Sequence, residues 1–231
     1  MSHEIISGGE SVVIHCDDDC PCDEGWEFDH ENEVLTFDSR RRTNADLIVD
    51  LVTLGYLHDG LSVLDLTYGK GRFWSKYRPP KLVTNDLDVD CATDHHLDFR
   101  DPPPDHLRDV FAVVVCDPPY GLRGTVNDTN GDYGLGEYLP VGERHWMMDV
   151  GLTFSMFYAK PGGLIVYKCQ EQTCNGRKYP QPYMVYDWAM REGLEYESTF
   201  HVHSHRPQPA GRGQKLIHQN YSSALLFRRP S

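Results

Sequence analysis

Phe111-Ala112-Val113-Val114-Val115-Cys116 runs without a polar residue into Asp117-Pro118-Pro119-Tyr120. An apolar run of this length reads as a strand buried on both faces, as in a parallel sheet. Neither Pro118 nor Pro119 can donate to a sheet ladder, so the strand ends abruptly. The result is a rigid corner with a carboxylate on one side and an aromatic ring on the other. A planar base can stack on Tyr120 while its amino group gives its hydrogens to Asp117. Read alone, the tetrapeptide is equally a plain strand-ending turn. It is not alone, because Val63-Leu64-Asp65-Leu66-Thr67-Tyr68-Gly69-Lys70-Gly71 lies upstream. That stretch is a second apolar run passing into a glycine turn.

Outward from these two stretches, strands and helices alternate. Strands are expected over 62–67, 81–85, 110–116, 164–168, 196–203 and 222–228, with a further short one near 93–97. Asn44 is expected to cap a helix over 45–54, with Leu47, Ile48, Leu51 and Leu54 on one face and Gly55 at its end. A short helix follows the glycine turn and stops before Pro79-Pro80. Helices are also expected over 143–159, ending before Pro161-Gly162-Gly163, and over 183–191. Such alternation implies a parallel sheet with helices on both faces. Two polar segments, 121–142 and 169–182, directly follow expected strands. They should therefore rim the carboxyl edge, where open α/β sheets bind ligands. A third polar loop spans 204–220.

The 231 residues suffice for one domain with a sizeable core. No apolar run reaches the roughly 18 residues of a membrane span. Met1-Ser2-His3-Glu4 does not open a secretory signal. The reading is of a cytoplasmic protein with no membrane partner. Seven cysteines in that setting suggest thiols or a metal site more than disulfides.

A net charge of −13 argues against a nucleic-acid partner until its distribution is considered. Residues 1–38 hold twelve acids and no Lys or Arg. Setting those twelve aside from the 35 acids leaves 23 against 22 bases, so residues 39–231 are near neutral. Residues 168–231 carry nine bases against five acids, which is compatible with a phosphate backbone. Two units are expected: an acidic, weakly periodic arm over 1–38, partly disordered or zinc-binding, and a domain over 39–231. In the arm, Cys16, Cys20 and Cys22 offer ligands for a structural zinc, with His15, His30 or remote Cys174 as a fourth. The C-x3-C-x-C spacing is unusual, and no second CxxC pair follows. The arm can also be read as a DNA mimic that covers a basic face.

Asp65, Thr67, Gly69 and Gly71 form a pattern that resembles the first motif of the class I S-adenosylmethionine-dependent methyltransferases. The glycines let the chain turn tightly and approach a ligand closely. The dinucleotide pattern G-x-G-x-x-G is incomplete, because Trp74 stands at its third glycine. The resemblance implies S-adenosylmethionine as cofactor. It implies that Asp65 meets the ammonium group, Asp86 the ribose hydroxyls, and Asp98-Phe99 the adenine.

With Asp117-Pro118-Pro119-Tyr120 downstream, the chain resembles the amino-methyltransferases that modify exocyclic amines of nucleic-acid bases. The resemblance covers about residues 44–168 and the final strand. It implies a seven-stranded, Rossmann-like sheet, mostly parallel, with an antiparallel last strand. It also implies that Asp117 and the Pro118 carbonyl accept the two N–H groups of the amine, that Pro119 keeps the corner rigid and that Tyr120 stacks on the ring. Asp in the first position leans toward adenine N6, with DNA favoured over RNA, and duplex DNA would have to flip the base out. The alternatives are an RNA adenine-N6 or guanine-N2 methyltransferase, or a non-catalytic cofactor-binding subunit. Around the corner, Gln172, Asn175, Arg177 and Lys178 are candidates for base or phosphate contacts. Arg206, Arg212 and Lys215, with His201, His203 and His205, form a second candidate group.

Overall fold

The structure, a computed structural model, describes residues 2–7, 10–15, 43–122, 139–203 and 220–231. The chain divides into two compact units, Met1–Phe37 and Asp38–Ser231. In the first, β1 (Ser2–Ser7) pairs antiparallel with β2 (Glu10–His15), in register from Ser2↔His15 to Ser7↔Glu10. Ile5, Ile6, Val12, Val13 and Ile14 supply its β-branched residues. The weak periodicity of 1–38 did not announce this hairpin. Cys16, Cys20, Cys22 and His30 lie outside the described residues.

The second unit is built on a six-stranded sheet. Its strands are β3 (Val63–Asp65), β4 (Leu82–Thr84), β5 (Phe111–Cys116), β6 (Ala159–Cys169), β9 (Glu195–His203) and β10 (Tyr221–Arg228). They lie in the order β4-β3-β5-β6-β10-β9. The first four are mutually parallel, and β10 runs antiparallel to both neighbours. This is the expected Rossmann-like α/β architecture with six strands where seven were expected. The missing edge strand, near 93–97, is reduced to a single bridge between Asn85 and His95. Side chains take over what a ladder would do there. Asp94 accepts from the backbone N–H and hydroxyl of Thr84, both at 2.8 Å. The Asn85 amide exchanges hydrogen bonds with the Leu97 backbone at 2.8 and 2.9 Å.

Alternation along the strands builds two apolar layers. Val114, Cys116, Ile165, Tyr167, Leu225 and Phe227 face one layer, and Val113, Val115, Leu164, Val166, Ala224 and Leu226 the other. The first is covered by α2 (Val141–Tyr158) and α3 (Gln181–Arg191), through Met147, Met148, Leu152, Val185 and Trp188. The second is covered by α1 (Asn44–Thr53), through Leu47, Ile48 and Leu51, together with Phe73 and Trp74. Thr43, not Asn44, caps α1, in a reciprocal pairing with Asp46. Leu54, expected on the apolar face, is instead exposed.

Where a helix was expected after the glycine turn there is only a 3-10 turn, Arg72–Trp74. Gly71 enters it at φ 67°, and the Trp74 indole is drawn inward to Asp65. A small hairpin, β7 (Gln172–Cys174) and β8 (Arg177–Tyr179), follows β6. Asn175 and Gly176 turn it at positive φ. Among the described residues no helix is long and apolar enough to cross a membrane.

Candidate active site

The carboxyl ends of β3, β4 and β5 bring the residues expected at the site to one edge. The turn after β3 needs its glycines. Gly69 and Gly71 sit at φ 53° and 67°, and a Cβ on Gly71 would stand 2.7 Å from Tyr68 Cζ. Asp86, at the end of β4, straps this turn: its Oδ2 accepts from Gly69 N–H at 2.7 Å and its Oδ1 from Asp88 N–H at 3.0 Å. A narrow cleft beside the strap is lined by Thr67, Asp86, Asp98, Phe99, Asp117 and Pro119, with Leu66, Leu87 and Met147 as its apolar walls.

Asp65 points inward and does not line the cleft. It is 1% exposed; Oδ1 accepts from Thr67 N–H at 3.0 Å and Oδ2 from the Trp74 indole at 2.6 Å. Burial pushes its carboxyl up to about 7, against the pull of those two donors and with help from the nearby charges of Asp117 and Asp86. Its visible work is to fix the glycine turn. Asp98 has its oxygens engaged by the Arg100 guanidinium and backbone N–H. Burial would raise its pKa, but these donors and the Arg100 charge hold it below the ordinary value. Phe99 is half-buried against α2, where only a glycine leaves it room: a Cβ at Gly151 would lie 2.8 Å from its ring.

The corner is tied to the turn. Asp117 N–H donates to Thr67 Oγ1 at 2.7 Å, across 50 residues of sequence. Arg144, on α2, donates to the Pro119 carbonyl, and Gln181, at the start of α3, to the Tyr120 carbonyl, each at 2.9 Å. No described residue donates to the Pro118 carbonyl. Lys168, at the end of β6, is 6% exposed and donates to Asp117 Oδ2 at 2.9 Å and to Tyr120 Oη at 3.4 Å. Burial opposes its charge, but Asp117 and Tyr120 outweigh that and raise its pKa. Burial raises the Tyr120 phenol as well. Asp117 Oδ1 is buried with no donor.

The sequence reading missed the parts played by Trp74, Arg144, Gly151 and Gln181, and it read Lys168 only as a residue leaving a strand. A lysine two residues beyond Val166 on an apolar strand face was the available signal. Of the outer candidates, Lys178 pairs with Glu171 and Arg177 stacks on Tyr179. His201 and His203 pack on Tyr221. Arg206, Arg212, Lys215 and His205 lie outside the described residues, as does 123–138 of the first polar segment. Cys174 is buried and donates to the Leu122 carbonyl. Among the described residues no three His, Cys, Asp or Glu side chains gather as a metal site.

No protein-family model matches this chain, and neither does any curated protein. Solved structures do. A "putative methyltransferase" from Bacillus halodurans C-125 aligns over 80% of this chain and 99% of its own, at 12% identity and a TM-score of 0.50. The N-methyltransferase NodS from Bradyrhizobium japonicum WM9 aligns over 80% and 96%, at 12% identity and a TM-score of 0.47. A "putative DNA modification methylase" from Thermus thermophilus aligns over 58% and 52%, at 16% identity and a TM-score of 0.39. The first of these likenesses establishes the fold, that of a methyltransferase-type α/β sheet; the other two are weaker.

Proposed function

We propose that this chain transfers a methyl group from S-adenosylmethionine to an exocyclic amine of a nucleic-acid base, adenine N6 in DNA. The observation that carries the reading is the buried Oδ1 of Asp117, which has no partner, next in the chain to the Pro118 carbonyl, to which no described residue donates. An exocyclic amine has two N–H groups, and this pair of acceptors matches them. The choice of adenine and of DNA rests on the resemblance of Asp117-Pro118-Pro119-Tyr120, with the mildly basic 168–231 segment compatible with it.

The cleft chemistry suits the cofactor. Each Asp86 oxygen accepts one backbone N–H and keeps a second lone pair for ribose hydroxyls, and Leu87 and Phe99 offer apolar surface for a flat adenine. Asp98 serves to orient Arg100, since its own oxygens are taken. Bound there, S-adenosylmethionine supplies an electrophilic methyl. Asp117 and the Pro118 carbonyl hold the amine hydrogens and favour a pyramidal nitrogen whose lone pair is free of the ring. Tyr120 stacks on the base and fixes its plane. Lys168 holds Asp117 in place through its 2.9 Å contact with Oδ2. The N–C bond forms as the sulfur–methyl bond breaks, and the nitrogen sheds its proton to solvent afterwards, so positioning and electrostatics are the levers and no strong base is required.

The test is transfer of a labelled methyl group to unmethylated duplex DNA and to bulk RNA, with the modified nucleoside identified by mass. N6-methyladenine in DNA is expected from the native protein and not from Asp117→Ala, which still binds the cofactor. Label in RNA alone overturns the choice of DNA. No label in either, with the cofactor bound, overturns the enzymatic reading.

A further inference from the structure

Two hydrogen-bonding capacities without a partner among the described residues meet at the corner. The Lys168 ammonium has three N–H donors. One reaches Asp117 and one Tyr120; the third has no acceptor among the described residues. Asp117 Oδ1 is the buried acceptor without a donor. A spare donor and a spare acceptor therefore stand side by side, bridged by one carboxylate. Buried polar groups are seldom left unpaired, so Asp117 Oδ1 points to a ligand that completes it, and the remaining N–H of Lys168 is placed to serve the same ligand.

Strand register puts Lys168 there. Leu164 and Val166 face the layer of α1 and the 3-10 turn, and Lys168 follows two residues on. Its Nζ lies 5.4 Å from the Tyr120 ring centroid and 5.7 Å from that of Phe73. Lys168 and Tyr120 line a second cavity of about 570 Å³, which also borders Asn44, Arg72 and Lys76. Cavities of that size hold small organic ligands. The cofactor-side cleft reaches Asp117 and Pro119, whereas this cavity reaches Tyr120 and Lys168. The Asp117–Lys168 pair joins the two.

We infer that Lys168 reads the target base: its third N–H donates to the ring nitrogen beside the reacting amine while Asp117 Oδ1 accepts from the amine itself. This rests on the amine-methyltransferase reading above. The edge that satisfies both groups is an amidine, an amino group and an unprotonated ring nitrogen on the same carbon. Adenine presents N6 with N1, and cytosine presents N4 with N3. On the Watson–Crick edge of guanine, N1–H flanks N2, so a donor would face a donor. The Asp117 carboxylate offsets the ammonium, so the nitrogen that gains positive charge on alkylation does not face an uncompensated cation.

The experiment compares DNA containing adenine with DNA in which every adenine is 1-deazaadenine, where C–H replaces N1. DNA containing 7-deazaadenine is the control. A lost hydrogen bond to a charged donor costs roughly 10- to 100-fold in kcat/KM. Native protein should show that penalty on 1-deazaadenine DNA and none on 7-deazaadenine DNA. Lys168→Met should be slowed on natural DNA and show no further penalty on 1-deazaadenine DNA. Lys168→Gln, which keeps a neutral N–H, should retain part of it. The pairing defect of the analogue is common to all three proteins and cancels in the comparison. If Lys168→Met slows transfer to natural and 1-deazaadenine DNA by the same factor, the lysine only holds Asp117 and the inference fails. If native protein methylates no natural nucleic acid, the functional reading itself fails and takes this inference with it.

Discussion

Replacing Asp65 with Asn should change how the stability of this protein depends on pH. Asp65 is fully buried, and its carboxyl is raised from 3.8 to about 7, first by burial. Between those two values the folded protein holds a proton at Asp65 that the unfolded chain has released. Stability from this group is therefore greatest below about pH 4, falls as pH rises toward 7, and is flat above. The full span is about 4 kcal/mol, at about 1.4 kcal/mol per pH unit. From about pH 5.5 to 8 the native protein should lose about 2 kcal/mol relative to Asp65→Asn, which has nothing to titrate there. Asn can keep one of the two hydrogen bonds, so a constant offset of about 1–3 kcal/mol against the variant is also expected. Urea unfolding followed by tryptophan fluorescence measures both terms, since Trp74 donates to this carboxylate. A stability difference that stays constant with pH, or that moves in favour of the native protein as pH rises, refutes the reasoning.

Thr67→Val removes the acceptor for Asp117 N–H and should cost about 1–3 kcal/mol in thermal or urea unfolding, with methyl transfer falling through kcat more than through cofactor affinity. Gly151→Ala pushes a Cβ to 2.8 Å from the Phe99 ring. It should destabilise by about 1–3 kcal/mol and weaken S-adenosylmethionine binding measured by calorimetry. Asp117→Ala should lower kcat by roughly 100- to 1000-fold or more and leave cofactor binding in place, as single-turnover rates and calorimetry can check.

How legible the site was depended on how local its causes are. β5 and its corner could be read because an apolar run and two prolines decide them without help from elsewhere. The turn at Gly69 and Gly71 could be read for the same reason, and Asp86 falls at that turn. The direction in which Asp65 points depends on Trp74, nine residues on, whose indole reaches back to it. Arg144 and Gln181 reach the corner from 25 and 61 residues away, and nothing in their neighbourhoods announces it. Lys168 was visible as an anomaly on an apolar strand, but its partner could be known only once β5 and β6 were in register. The segment near 93–97 was misread because its backbone pairs with the neighbouring strand only through His95, and Asp94 and Asn85 side chains make the remaining hydrogen bonds, which an apolar–polar pattern does not register.

The place of β10 has a consequence for how the protein reaches this state. β9 precedes β10 in the chain, yet β10 lies between β6 and β9 in the sheet. β9 therefore has no ladder to join until the later strand has arrived. Before that, the half-sheet β4-β3-β5-β6 ends in the bare edge of β6, whose 163–169 stretch is buried throughout in the finished fold. An unpaired apolar edge is a template for the wrong partner. The assembly step most exposed to aggregation is therefore the docking of Tyr221–Arg228, and slowing that step should cost soluble yield before it costs the stability of molecules already folded.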